Sequence, residues 1–167
     1  MFSAIDIAKW FLFKNNAEVQ EHEVANDDYE VYERITHLKL QKLLYYAQGI
    51  SLALYNKPIF KEKIEAWQHG PVVREVYSLF NVFGRNPIIM PMQESDEEII
   101  TEIEQDKETI DTLNLTYDNF AIYTAWQLRE MTHIDNSPWD ITEKTKGLGQ
   151  EIENNLICKY FKEEVVE

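Results

Sequence analysis

Two proline-centred corners constrain this chain more than any other feature. The first is Ala66-Trp67-Gln68-His69-Gly70-Pro71-Val72, and the second, Met131-Thr132-His133 followed by Ser137-Pro138-Trp139, lies in the last third of the sequence. Each brings a Trp and a His close to a Pro. Proline fits the first turn of a helix because its missing N–H would find no intrahelical acceptor there and its φ is already helical. Both segments therefore read as shaped corners that end an irregular stretch and open a helix, at Pro71 and at Pro138.

The rest of the chain reads as helices. Ser3 with Asp6 caps a first helix whose apolar side is Ile5, Ala8 and Phe11 or Leu12, and which should stop near Asn15-Asn16. Residues 18–33 alternate acids with small and polar residues and read as an acidic insertion, a loop or at most a short helix. Thr36 caps the strongest helix, His37 to about Leu54, with Leu40, Leu43, Leu44, Ala47 and Leu54 on one stripe. Gly49 in its middle costs roughly 1 kcal/mol relative to Ala, which points to close packing against another helix.

Lys63–Trp67 has the alternation of a short strand, and Gly70-Pro71 should open a third helix with Val72, Val73, Val76, Leu79 and Phe80 buried. Ile88–Met92 reads as a second, edge strand because of Pro91. Ser95 with Glu98 forms the box for a fourth helix carrying Ile99, Ile100, Ile103 and Ile110. A fifth starts at Asp118 or Asn119, a short one at Ser137-Pro138, and the last follows Gly149 with Ile152, Leu156 and Tyr160 on one side. The expectation is a mainly α fold, one domain over residues 1–167, with about six or seven helices and a small two-stranded β element.

Charge narrows the function classes. The net charge is −14; residues 18–33 and 94–118 together carry −16, leaving the remainder at +2. Such a surface repels phosphate backbones, so direct nucleic-acid binding is not expected. No run of about eighteen apolar residues is present to span a bilayer, and the absence of a charged-then-apolar leader predicts a cytoplasmic protein. Cys158, the sole cysteine, excludes an internal disulfide and a thiolate zinc cage. It should behave as a partly buried apolar residue.

Catalytic motifs are missing. The four histidines, His22, His37, His69 and His133, show no i, i+4 pair; there is no phosphate loop and no Gly-x-Ser-x-Gly elbow. The residues thus nominate no metal and no cofactor. His69 and His133 alone invite an enzyme reading, as a base with an aromatic wall in a shared pocket. The opposing reading has each ring bonding a backbone carbonyl at its corner and stacking on Trp67 or Trp139.

Leu40-Gln41-Lys42-Leu43-Leu44-Tyr45-Tyr46-Ala47-Gln48-Gly49, then Ala66 to Val73, then Thr132-His133 with Pro138-Trp139, then Leu156-Ile157-Cys158-Lys159-Tyr160-Phe161 stand in a particular order. In that order they resemble the Panacea domain, the SocA-like antitoxin domain of bacterial and phage toxin–antitoxin pairs. The acidic insertion and the lack of an appended helix-turn-helix depart from the pattern. The resemblance implies a non-enzymatic antitoxin that binds a cognate toxin directly, and, as a second role, an adaptor that delivers the toxin to a protease. It makes Trp67, His69, Gly70, Pro71, His133, Pro138 and Trp139 family-motif residues of mainly structural role. An acidic face suits a basic toxin surface, with Tyr29, Tyr32, Tyr45, Tyr46 and Tyr55 as exposed anchors. A phage or prophage regulator that binds a host factor is the alternative.

Overall fold

The structure, a computed structural model, describes residues 1–25 and 33–166. The described residues include eight α-helices and one hairpin, α1 (Ala4–Ala25), α2 (His37–Tyr55), β1 (Ile64–Trp67), β2 (Gly70–Val73), α3 (Arg74–Phe80), α4 (Glu94–Gln105), α5 (Lys107–Phe120), α6 (Ala125–Thr132), α7 (Pro138–Lys146) and α8 (Asn154–Tyr160), with a 3-10 turn at Asn81–Phe83 and a π-helical turn at Phe161–Val165. The mainly helical expectation with a small two-stranded element holds. No described helix is long and apolar enough to cross a membrane.

Helix α2 is the hub, against which α1, α3, α5, α6, α8 and β2 all pack. Every residue from Lys39 to Leu52 is buried, so the helix is enclosed all round and not amphipathic. Its polar side chains survive burial because each satisfies backbone groups of a neighbouring segment. Gln41 accepts from the Val73 amide (2.8 Å) and donates to the Val73 carbonyl (3.3 Å). Gln48 accepts from Ile59 N (2.9 Å) and donates to Phe60 O (3.2 Å). Lys39 Nζ donates to Ala121 O at 2.6 Å. Gly49 lies against the ring of Phe161, which occupies the space a Cβ would need; close packing explains it, as expected.

Several boundaries differ from the sequence expectation. Ser3 and Asp6 do cap α1, with Ser3 N donating to Asp6 Oδ2 (2.9 Å) and Asp6 N to Ser3 Oγ (3.1 Å). The helix does not stop at Asn15-Asn16 but runs on to Ala25. The Asn15 amide is spent on tertiary contacts, accepting from Ile35 N (3.1 Å) and donating to Tyr117 Oη (3.3 Å), so it does not compete with its own helix. The start of the acidic insertion is thereby helical; Tyr29 and Tyr32 lie outside the described residues.

Pro71 opens no helix. Gly70–Val73 is a strand antiparallel to β1, in register Ile64↔Val73 to Trp67↔Gly70 around a two-residue turn of Gln68 and His69. Helix α3 begins only at Arg74, so Val72 and Val73 are buried in the strand, while Leu79 is 46% exposed. The second strand is therefore β2, and Ile88–Met92 is irregular, tied by Ile88 N donating to Ile35 O at 2.9 Å. Helix α4 is boxed by Gln93 and Asp96 in place of Ser95 and Glu98. The chain breaks at Asp106, which caps α5, and the box that opens the next helix is Thr124 with Gln127. Leu54 is 43% exposed and leaves the predicted stripe.

Candidate partner-binding surface

The two corners meet. At the second, Ser137 Oγ accepts from Asp140 N at 3.2 Å and Pro138 takes the first helical turn of α7, as expected. The first corner is the hairpin tip. The Trp139 indole N–H donates to Trp67 O at 2.7 Å, His133 Nε2 lies 3.2 Å from Gln68 O, and Arg129 Nε donates to His69 Nδ1 at 3.3 Å. His133 Nδ1 also lies 2.7 Å from Arg129 O, and its ring packs on Trp139 with centroids 3.8 Å apart. Carbonyl oxygens only accept, so both of these His133 contacts are donated together only by the imidazolium.

His133 thus does what the structural reading asked, bonding carbonyls and stacking on Trp139. His69 does not: it is exposed and accepts from a guanidinium, while Trp67 packs on Tyr77 (4.8 Å) and under Arg74 (5.5 Å). Among the described residues no group of three His, Cys, Asp or Glu could hold a metal ion. Trp139→Phe keeps the stacked ring but removes the indole N–H that ties α7 to the Trp67 carbonyl. The expected loss is about 1–2 kcal/mol, or roughly 2–8 °C in Tm for a chain of this size, read by thermal denaturation.

Beneath the hairpin lies a residue that sequence reasoning missed. Lys42 is fully buried, and its Nζ donates to Pro71 O at 3.1 Å. Burial, and secondarily the Arg129 charge, pushes its pKa down to about 7. The same ammonium explains Gly70, whose φ is +111° and where a Cβ would lie 2.8 Å from Lys42 Nζ and 2.9 Å from Thr132 Oγ1. The unbroken Leu43-to-Ala47 apolar and aromatic run was the available signal that Lys42's helix has no solvent face.

The tyrosine anchors are corrected. Tyr45 is 2% and Tyr46 5% exposed. Tyr46 stacks on Phe120 at 4.0 Å and Tyr45 meets Phe161 edge-on at 5.3 Å, so both serve the core. Tyr55 is half-buried at the end of α2.

What the fold does expose is a groove of about 520 Å³ between α1, α4 and α5, floored by Trp10, Phe13, Ala17, Met92, Ile100 and Ile110. The start of the first acidic segment, at Glu18, reaches the second one beside it. Tyr117 Oη donates to Glu18 Oε2 at 2.8 Å, and Lys9 Nζ to Asp96 Oδ1 at 2.6 Å. The lysine contact holds the Asp96 carboxyl below its ordinary pKa. Glu104 lines the groove, and Glu94, Glu97, Glu98 and Glu102 on α4 are exposed. Lys14 lies over the Trp10 and Tyr117 rings at 5.6 and 5.1 Å.

The family model for the SocA-like antitoxin, Panacea domain, matches residues 40–140, from the buried part of α2 through both corners. The antitoxin SocA of Caulobacter vibrioides is 30% identical over 136 residues, which cover 77% of this chain and 72% of that protein. No solved structure matches the chain. With its central helix and both corners inside the matched span, this chain belongs to the SocA-like antitoxin family and carries its Panacea domain.

Proposed function

We propose that this protein is a cytoplasmic, non-enzymatic antitoxin that neutralises a cognate toxin by direct contact through the groove between α1, α4 and α5. Family membership supports the antitoxin role. The observation that carries the binding face is the apolar floor beside carboxylates from segments far apart in sequence, which suits a basic amphipathic segment of the toxin. The apolar floor supplies affinity, and the acidic rim supplies approach rate and selectivity. The buried cluster joining residues of α1 to α6 and α8, with Trp139 of α7 packed against it, supports one domain over the described residues. An adaptor that passes the bound toxin to a protease fits the same groove.

The test is co-expression with the toxin encoded beside it, read as growth rescue and as binding affinity. Reversing the carboxylate that lines the groove with Glu104→Lys should weaken binding severalfold, mainly through a slower and less salt-sensitive on-rate. Phe13→Ser should speed dissociation. Full rescue and unchanged affinity in both variants would remove the groove from the mechanism, and absence of any growth-arresting neighbour would favour a phage or prophage regulator that binds a host factor.

A further inference from the structure

A second cleft, of about 480 Å³, lies between the first turn of α2, the hairpin tip, α6 and the turn at Gly84. Its lining includes His37, Leu38, His69, Arg85 and Trp126, and no carboxylate among the described residues. In a chain of net charge −14 that composition is unusual. Three other clefts each carry at least one acid: Asp106 and Glu108 in one, Glu104 in the second, Asp135, Glu163 and Glu164 in the third.

The cationic character is built in. Arg85 is exposed and makes no ion pair or hydrogen bond among the described residues. His37 adds a polar edge and not a charge, because burial, and secondarily the Lys42 charge, lowers its pKa; its buried Nδ1 has no hydrogen-bond partner. The positive end of α2 begins at Thr36, whose hydroxyl caps Lys39 N at 3.4 Å, so the α2 dipole adds to the same sign. Trp126 is 59% exposed, and its ring is covered on one face by the Arg129 guanidinium at 4.6 Å. Arg129 is itself bonded to His69 at 3.3 Å and to Glu130 Oε1 at 2.7 Å, which orients its guanidinium over the indole. An exposed Trp beside an unpaired Arg is the composition of an interface hot spot.

We propose that this cleft docks a short acidic segment of a partner protein, with a carboxylate facing Arg85 and an adjacent aliphatic or aromatic side chain against Trp126 and Leu38. The volume suits two or three side chains and lies in the range of sites that enclose a compact ligand. A nucleic-acid strand is disfavoured because its continuous phosphates would run out of the cleft onto a surface of the same sign. The site is separate from the groove between α1, α4 and α5 and has the opposite charge preference, so it stands whether or not the partner is a toxin.

The experiment pans a random twelve-residue peptide display library on the intact protein and on Arg85→Glu, keeping sequences enriched on the parent alone. Those sequences should carry Asp or Glu next to Leu, Phe or Trp. The best of them, as a free labelled peptide, should bind at least tenfold more weakly to Arg85→Glu and to Trp126→Ala, both with unchanged melting curves, and equally well to Glu98→Lys. Enriched sequences without acids, or affinity indifferent to both Arg85 and Trp126, would overturn the proposal. So would displacement of the peptide by an oligothymidylate at equal concentration, or a loss of peptide binding in Glu98→Lys.

Discussion

Gly49→Ala should lower stability, against the rule that alanine improves the interior of a helix. Propensity alone favours Ala by about 1 kcal/mol, yet the new Cβ would overlap the ring of Phe161. That ring has nowhere to go. It is fully buried and packs edge-on against Tyr45 at 5.3 Å and Tyr46 at 5.7 Å, with Tyr160 at 6.0 Å. Overpacking a filled core costs about 1–3 kcal/mol or more, and with three rings to displace, a gross cost at the upper end leaves a net loss of about 2 kcal/mol. At roughly 2–4 °C per kcal/mol for a domain of this size, Tm should fall about 4–8 °C. The double variant Gly49→Ala with Phe161→Leu should be more stable than the sum of the two single losses, because each change relieves the other. A rise in Tm for Gly49→Ala would show that the terminal turn yields easily and that the glycine has some other cause.

The second large effect is a dependence of stability on pH. Lys42, with an ordinary pKa of 10.5, titrates at about 7 in the fold because burial disfavours the ammonium. Between pH 7 and 10.5 the unfolded chain therefore binds more protons than the native one, so stability rises with pH across that window, and the loss on lowering the pH is complete by about pH 7. At 1.36 kcal/mol per unit, the full displacement from 10.5 to about 7 corresponds to on the order of 5 kcal/mol. Lys39 is shifted in the same direction by its own burial. Tyr45 and Tyr46 act oppositely: burial raises both above the ordinary 10, so above about pH 10 the unfolded chain loses protons first and stability falls. Urea unfolding at intervals from pH 6.5 to 10.5 should show a maximum near pH 9–10. Lys42→Met, of similar length and without the charge, should flatten most of the rise while leaving Pro71 O without its donor. A flat profile in the parent protein would mean that the ammonium is stabilised where it sits.

Local chemistry along the chain was sufficient for much of the fold. The Ser3/Asp6, Thr36 and Ser137-Pro138 caps bond within three or four residues, so their signals act before any tertiary contact exists. The β1 strand and the α2 span were legible for the same reason. Pro71 misled because a Gly-Pro pair suits a hairpin strand as well as a helix start; pairing with β1 decides which one forms. Asn15 and Asn16 misled because an asparagine interrupts a helix only when its amide turns to its own backbone, and here both side chains reach other segments.

The candidate site shows the same division. The family motifs were legible residue by residue, but the reason for their polar members was not. By itself the sequence determined a helical architecture, the acidic balance, the family, and the two corners as features of fixed shape. Only tertiary structure decided that Tyr45 and Tyr46 are core, that Lys42 and Gln41 are interior, and that the apolar floor of Trp10 and Ile100 lies beside the acids. The physical reason is where hydrogen-bond partners come from: a polar side chain can be buried only if an orphan backbone group from a distant segment meets it. Sequence spacing fixes a side chain's position on its helix, but which segments pack over that position is decided by the whole chain.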